Sequence, residues 1–125
     1  MDKNAIAPSS LRFLRDCVDD VTDLTFAFQA ASIEETLETF EEEVSAVRRL
    51  LNSLLEAGLI RPGSWRADVV GLDFWPGDTD ELRRRVSESL DALTSRPSPA
   101  HPLWFGATKA GQDLVEAADR TTGAS

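Results

Sequence analysis

The 125-residue sequence contains no tyrosine, one histidine and one cysteine. The lone Cys17 excludes an internal disulfide and any zinc site built on cysteines. It lies among Leu14, Val18 and Val21, where it reads as a small buried hydrophobe. His101 stands in a proline-rich stretch with no nucleophile or second ligand at a diagnostic spacing, so it reads as a loop residue. There is no Gly-rich phosphate loop and no HExxH, GxSxG or CxxC motif. These absences argue for a non-enzymatic protein that requires no cofactor and no metal. No apolar run is long enough to span a membrane, and the opening MDKNAIAPSS lacks the apolar core of a signal peptide. The expectation is a cytoplasmic protein without membrane contact. Lysine is scarce as well, two against eleven arginines, and with the frequent alanine this suggests a GC-rich bacterial genome.

Acidic side chains are abundant. The net charge is −9, which disfavours nucleic acid and anionic membranes as partners and makes a basic protein the natural complement. The charge is uneven: residues 1–60 carry 12 acids and 5 bases, whereas residues 61–125 carry 10 and 8. Hydrophobic content of 42% is enough for a packed core. The expected organisation is a disordered segment over 1–8, one globular domain over 9–119 and a flexible tail over 120–125.

The strongest periodic signal runs from Ser32 to Gly58. Ile33, Leu37, Phe40, Val44, Val47, Leu51 and Leu54 recur at steps of four and three, one stripe of a helix. Ser32 and Glu35 have the spacing of a capping box, and Gly58 followed by Pro62 marks the stop. The expectation is one continuous helix over about 33–57, with Glu34, Glu35, Glu38, Glu41, Glu42 and Glu43 off its apolar stripe. On that reading Glu41–Glu43 lie too far along to gain from the helix dipole. The seam suits an intramolecular core or a homodimer, and the other apolar helices of the chain favour the core.

Elsewhere, Ser9 or Ser10 caps a first helix reaching about Val21. Residues 22–29 fit either a strand or a continuing helix. A strand is expected near 68–75, then a turn at Pro76-Gly77 and a helix over 79–94 capped by Asp78. The three prolines of residues 95–102 make a loop. Leu103 to Phe105 form a short strand, and Thr108 caps a last helix over 109–119.

Two stretches together resemble the ends of a winged-helix domain. A helix runs into Gly58, Leu59 and Ile60, and later Phe105-Gly106-Ala107-Thr108 leads through Gly111 into a closing helix. The resemblance covers about a third of the chain. It implies an elaborated winged-helix-like α+β fold, predominantly helical, with three or four helices around a small antiparallel sheet. Family members present Arg, Lys, Asn or Gln to DNA from the helix before the first motif. Here that helix carries glutamates, and the segment between the motifs is longer than an ordinary wing.

The functional expectation is therefore a small acidic protein-binding module, most concretely a bacterial immunity or antitoxin-like inhibitor that docks a basic toxin or effector. The candidate contacts are Glu34, Glu38, Glu41 and Glu42, with Trp75 beside the Pro76-Gly77 turn as the tryptophan expected to be exposed. The alternative is a winged-helix DNA-binding regulator or its adaptor, using Arg83, Arg84 and Arg85. Three successive helical residues spread over about 200°, so these arginines form no single patch and one should pair with a nearby acid.

Overall fold

The computed structural model describes residues 6–33, 35–66 and 71–123. Five helices and four strands follow one another as α1 (Pro8–Asp19), β1 (Thr22–Asp23), α2 (Leu24–Ala31), α3 (Phe40–Glu56), β2 (Ile60–Arg66), β3 (Gly71–Phe74), α4 (Thr79–Asp91), β4 (Leu103–Ala107) and α5 (Lys109–Gly123). The class is α+β with a small, wholly antiparallel sheet in the order β1-β4-β2-β3. The described chain thus has one helix more than the three or four expected from sequence. Among the described residues no helix is long and apolar enough to cross a membrane.

The long helix expected over 33–57 is shorter and starts seven residues later, at Phe40. α2 ends at Ala31, the described residues among 32–39 form a non-helical connection, and α3 starts at Phe40. The cap sits seven residues later than the sequence reading placed it. Thr39 accepts from the Glu42 N–H at 3.1 Å, and the Glu42 carboxylate accepts from the Thr39 N–H at 3.0 Å. The spacing S/T-x-x-E occurs at both Ser32 and Thr39, and tertiary contact selects the second. Arg49 reaches Glu35 at 3.1 Å, although 14 residues along a straight helix would separate them by roughly 21 Å. The break turns α2 back onto α3. It also leaves Ile33, first residue of the expected seam, 51% exposed.

The open segment 22–29 resolves into both readings in succession. Thr22 and Asp23 pair with Phe105 and Trp104 as an edge strand. Asp23 then accepts from the Thr25 N–H at 2.8 Å and caps α2, whose buried residues Leu24, Ala27, Phe28 and Ala31 keep helical spacing. Ser9 and Ser10 do not cap α1. Pro8 opens that helix, because its fixed φ and missing N–H suit the first turn, and both serines are buried within it. α4 ends at Asp91 rather than 94, and α5 continues through Gly123, four residues past its expected end. The strand expected over 68–75 is seen over 71–74; residues 68–70 lie outside the described residues.

The core gathers Phe13, Leu14, Leu24, Val47, Leu51, Leu54, Leu103 and Phe105, all essentially inaccessible. Phe13 meets Phe105 edge to face at 5.6 Å between centroids, which fixes α1 on the sheet. α3 hands over to β2 at Gly58, which takes φ +71° as the helix closes. The Thr108 N–H donates to the Leu59 carbonyl at 3.0 Å, its hydroxyl donates to the Gly58 carbonyl at 2.6 Å, and it accepts from the Gly111 N–H at 3.1 Å. Gly111 is required there, since a Cβ would lie 2.2 Å from the Leu59 carbonyl oxygen.

The two candidate caps give different stabilities on truncation. Thr39→Ala should lower stability by about 1 kcal/mol. Ser32→Ala, at the C-cap of α2, should change it by less than about 0.5 kcal/mol. Urea denaturation of both variants checks this; the reverse order would restore the continuous helix.

Candidate functional site

The acidic residues collect where the 32–39 connection meets the start of α3. Glu35, Leu37, Thr39, Glu41, Glu42, Ser45 and Arg49 line one shallow polar cavity of about 370 Å³. Glu34 lies outside the described residues. The remaining glutamates have separate tasks. Glu42 accepts from the backbone of Glu38 and Thr39 and from the Thr39 hydroxyl, so its carboxylate holds the cap. Glu35 pairs with Arg49. Glu38 and Glu41 are exposed and make no ion pair among the described residues. Glu41, Glu42 and Glu43 form the first turn of α3, where the helix dipole favours anions. That corrects the expectation that they lie beyond its reach, because the helix begins at Phe40.

Glu43 turns the other way. It is buried and forms a two-point pair with Arg96, with Nε to Oε2 at 2.8 Å and Nη2 to Oε1. Hydrogen bonding to Arg96, aided by its charge, holds the Glu43 carboxyl below its ordinary value against the opposing effect of burial. The pair ties the loop after α4 to α3. α4 is bound to α3 again by Arg48, which meets Asp91 at 2.5 Å and the Ser87 hydroxyl, and by Arg83, which meets Glu56 at 3.3 Å. Of the basic cluster, Arg83 also meets Asp80, Arg84 meets Glu88 and Arg85 lies over Trp75, so the three diverge as their helical spacing requires.

Trp75 is half-buried rather than the exposed member of its set. Its Nε1 donates to the Ser64 hydroxyl at 2.8 Å, and the Arg85 guanidinium lies 4.0 Å from its ring centroid, so it braces the end of β3 against α4. Trp65 is the exposed tryptophan, at 41%, with its ring 5.0 Å from that of Trp104. The signal for this was parity along β2, since Trp65 shares the face of Arg61 and Gly63 while Pro62 and Ser64 point inward. His101 accepts the Leu103 N–H on Nδ1 at 3.1 Å, and burial lowers its pKa. Cys17 is buried, and burial raises its thiol pKa. Among the described residues no three His, Cys, Asp or Glu side chains gather as a metal-holding group.

No family model, curated protein or solved structure matches the chain significantly.

The Glu43–Arg96 pair makes stability depend on pH in a defined direction. The folded pKa of Glu43 is depressed, so its contribution is present above the unfolded value of about 4.3 and is lost as pH falls through the folded value. The difference in urea midpoint between wild type and Glu43→Gln should therefore be largest near neutrality and shrink below about pH 4. A difference independent of pH from 7 to 3 would contradict this role.

Proposed function

We propose that this chain is a non-enzymatic protein-binding module that docks a basic partner through the acidic connection before α3, in its most concrete form a bacterial immunity or antitoxin-like inhibitor acting in the cytoplasm. The carrying observation is the pair Glu38 and Glu41, exposed and without ion pairs among the described residues, with Glu41 lining the cavity and Glu38 lying between its Leu37 and Thr39, in a chain of net charge −9. Carboxylates already neutralised internally, such as Glu43, contribute little to the field a partner meets. Such a surface speeds association and fixes orientation more than it adds affinity. A toxin that acts on a phosphate-bearing substrate presents the cationic surface this arrangement complements.

A second reading has an observation of its own. The connectivity α1-β1-α2-α3-β2, then β4-α5, with β1, β4 and β2 side by side, is what a winged helix would show if β3 and α4 were an insertion. On that reading α3 would face DNA. Its outward residues are Glu41, Glu42, Ser45, Arg49, Ser53 and Glu56, with one cation among three carboxylates. This charge disfavours phosphate contact, and the fold alone does not decide function.

The test uses tagged protein and the Glu38→Lys/Glu41→Lys double variant, which leaves the Thr39–Glu42 cap intact. Each is used to capture partners from nuclease-treated lysate of the source cells. Wild type should retain a basic protein that the variant loses, with at least a tenfold slower association at low salt. Equal capture by both forms would remove the acidic docking reading. A DNA mobility shift that weakens linearly in log salt would favour the regulator instead.

A further inference from the structure

The sheet has a second, chemically opposite surface. Helices pack on the face that carries Ile60, Leu103 and Phe105, all buried. Strand register puts Arg61, Trp65, Leu72, Phe74 and Trp104 on the other face. Trp65 and Phe74 are 41% and 40% exposed, two of the four large hydrophobic side chains that are exposed among the described residues. Gly106 lies beneath Phe74, and Gly63 lies beside Leu72. A Cβ on Gly106 would meet the Phe74 ring at 2.9 Å, and one on Gly63 would meet the Asp73 carbonyl oxygen at 2.6 Å and Leu72 Cδ1 at 3.0 Å. The Phe74 ring therefore reaches across β2 to lie over Gly106 of β4.

β3 is the edge of the sheet. The Trp75 N–H donates to the Pro62 carbonyl at 3.1 Å, so by antiparallel alternation the backbone groups of Leu72 and Phe74 point away from β2, toward the open edge. Natural edges are commonly guarded by charged side chains or proline; Gly71–Phe74 has no proline, and its one charge, Asp73, stands by register on the face opposite Leu72 and Phe74. Pro62 has no N–H to return to the Trp75 carbonyl, and Arg61 reaches it instead at 3.4 Å. The same guanidinium lies 5.1 Å from the Phe74 ring centroid. These contacts carry a positive charge from β2 out to the edge strand. Among the described residues Arg61 has no carboxylate partner.

We propose that this face and the β3 edge form a docking site for an extended apolar segment of a partner protein that carries a carboxylate and adds to the sheet as a fifth strand. The added strand pairs with the outward backbone groups of Leu72 and Phe74. Its alternate side chains lie on Phe74, Leu72 and Trp65, and its carboxylate takes the free edge of the Arg61 guanidinium. The chemistry is the reverse of that at Glu38 and Glu41, so this site stands independently of the function proposed above.

Selection of displayed random twelve-residue peptides on the immobilised full-length chain tests the proposal. Enriched peptides should alternate apolar residues around an Asp or Glu and lack proline at their centre. Trp65→Ala should weaken the best of them about thirty-fold. N-methylation of its central peptide bonds should weaken it about tenfold, the loss of one or two backbone hydrogen bonds. Repeating the selection on Arg61→Glu, with folding checked by circular dichroism, should switch the preferred charge to Lys or Arg. Basic or charge-indifferent peptides on wild type, no enrichment over Trp65→Ala, or insensitivity to N-methylation would overturn the proposal. A concentration-dependent dimer in sedimentation that Trp65→Ala abolishes would also overturn it, by giving the face to a second copy of the chain.

Discussion

Where α3 ends and α5 begins, four backbone segments meet around Thr108. Its N–H and hydroxyl bind the carbonyls of Leu59 and Gly58, and its hydroxyl receives the Gly111 N–H in the first turn of α5. Gly111 lets that helix approach until a methyl group would collide with the Leu59 carbonyl and with Leu14 of α1. The end of α3, the start of β2, the end of β4 and the start of α5 are thus fixed to one another. The Phe13–Phe105 contact then sets α1 on the same sheet. What the chain does at either surface presupposes this junction, because it determines both the direction of α3 and the plane of the sheet.

The segment between β2 and β4 is attached to that frame by a different means. Leu82, Val86 and Leu90 give α4 an apolar face, and Arg48–Asp91, Arg83–Glu56 and Glu43–Arg96 link it and its following loop to α3. Most of these pairs are solvent-accessible and add modestly to stability; Glu43 is the buried exception. Their effect is to fix position. Bracing by Trp75, between Ser64 and Arg85, does the same at the end of β3. The side of α3 that carries Arg48 is closed by α4, and the side carrying Glu41 stays open.

Much of this was legible in the sequence where local rules act alone. Gly58 as a left-handed stop, Asp78 and Thr108 as caps, and the packing role of Gly111 follow from residue type and spacing, and the structure has each of them. The errors arise where two local solutions are equal and a distant residue chooses between them. Ser32-x-x-Glu35 and Thr39-x-x-Glu42 are alike as caps, and the second is the one compatible with α2 packing back onto α3, where Glu35 meets Arg49. Glu43 looks like its neighbours in a glutamate run, yet it is buried because Arg96 lies opposite it. Trp75 stands beside a Pro-Gly turn, which suggested exposure, but the turn folds α4 over it. Both glutamate surfaces and aromatic surfaces were visible as composition, whereas their division into engaged and free side chains depends on pairings 14 to 53 residues apart.

The aromatic placement has a spectroscopic consequence. Trp65, Trp75 and Trp104 all belong to the sheet or its immediate end, none lies in α1, α2 or α3, and there is no tyrosine to add background. Near-ultraviolet light therefore interrogates the sheet and is nearly blind to the helical half. With Trp65 and Trp104 at 5.0 Å and inclined by 31°, their transitions couple, and the resulting circular-dichroism couplet is an intrinsic gauge of whether β2 and β4 keep their register.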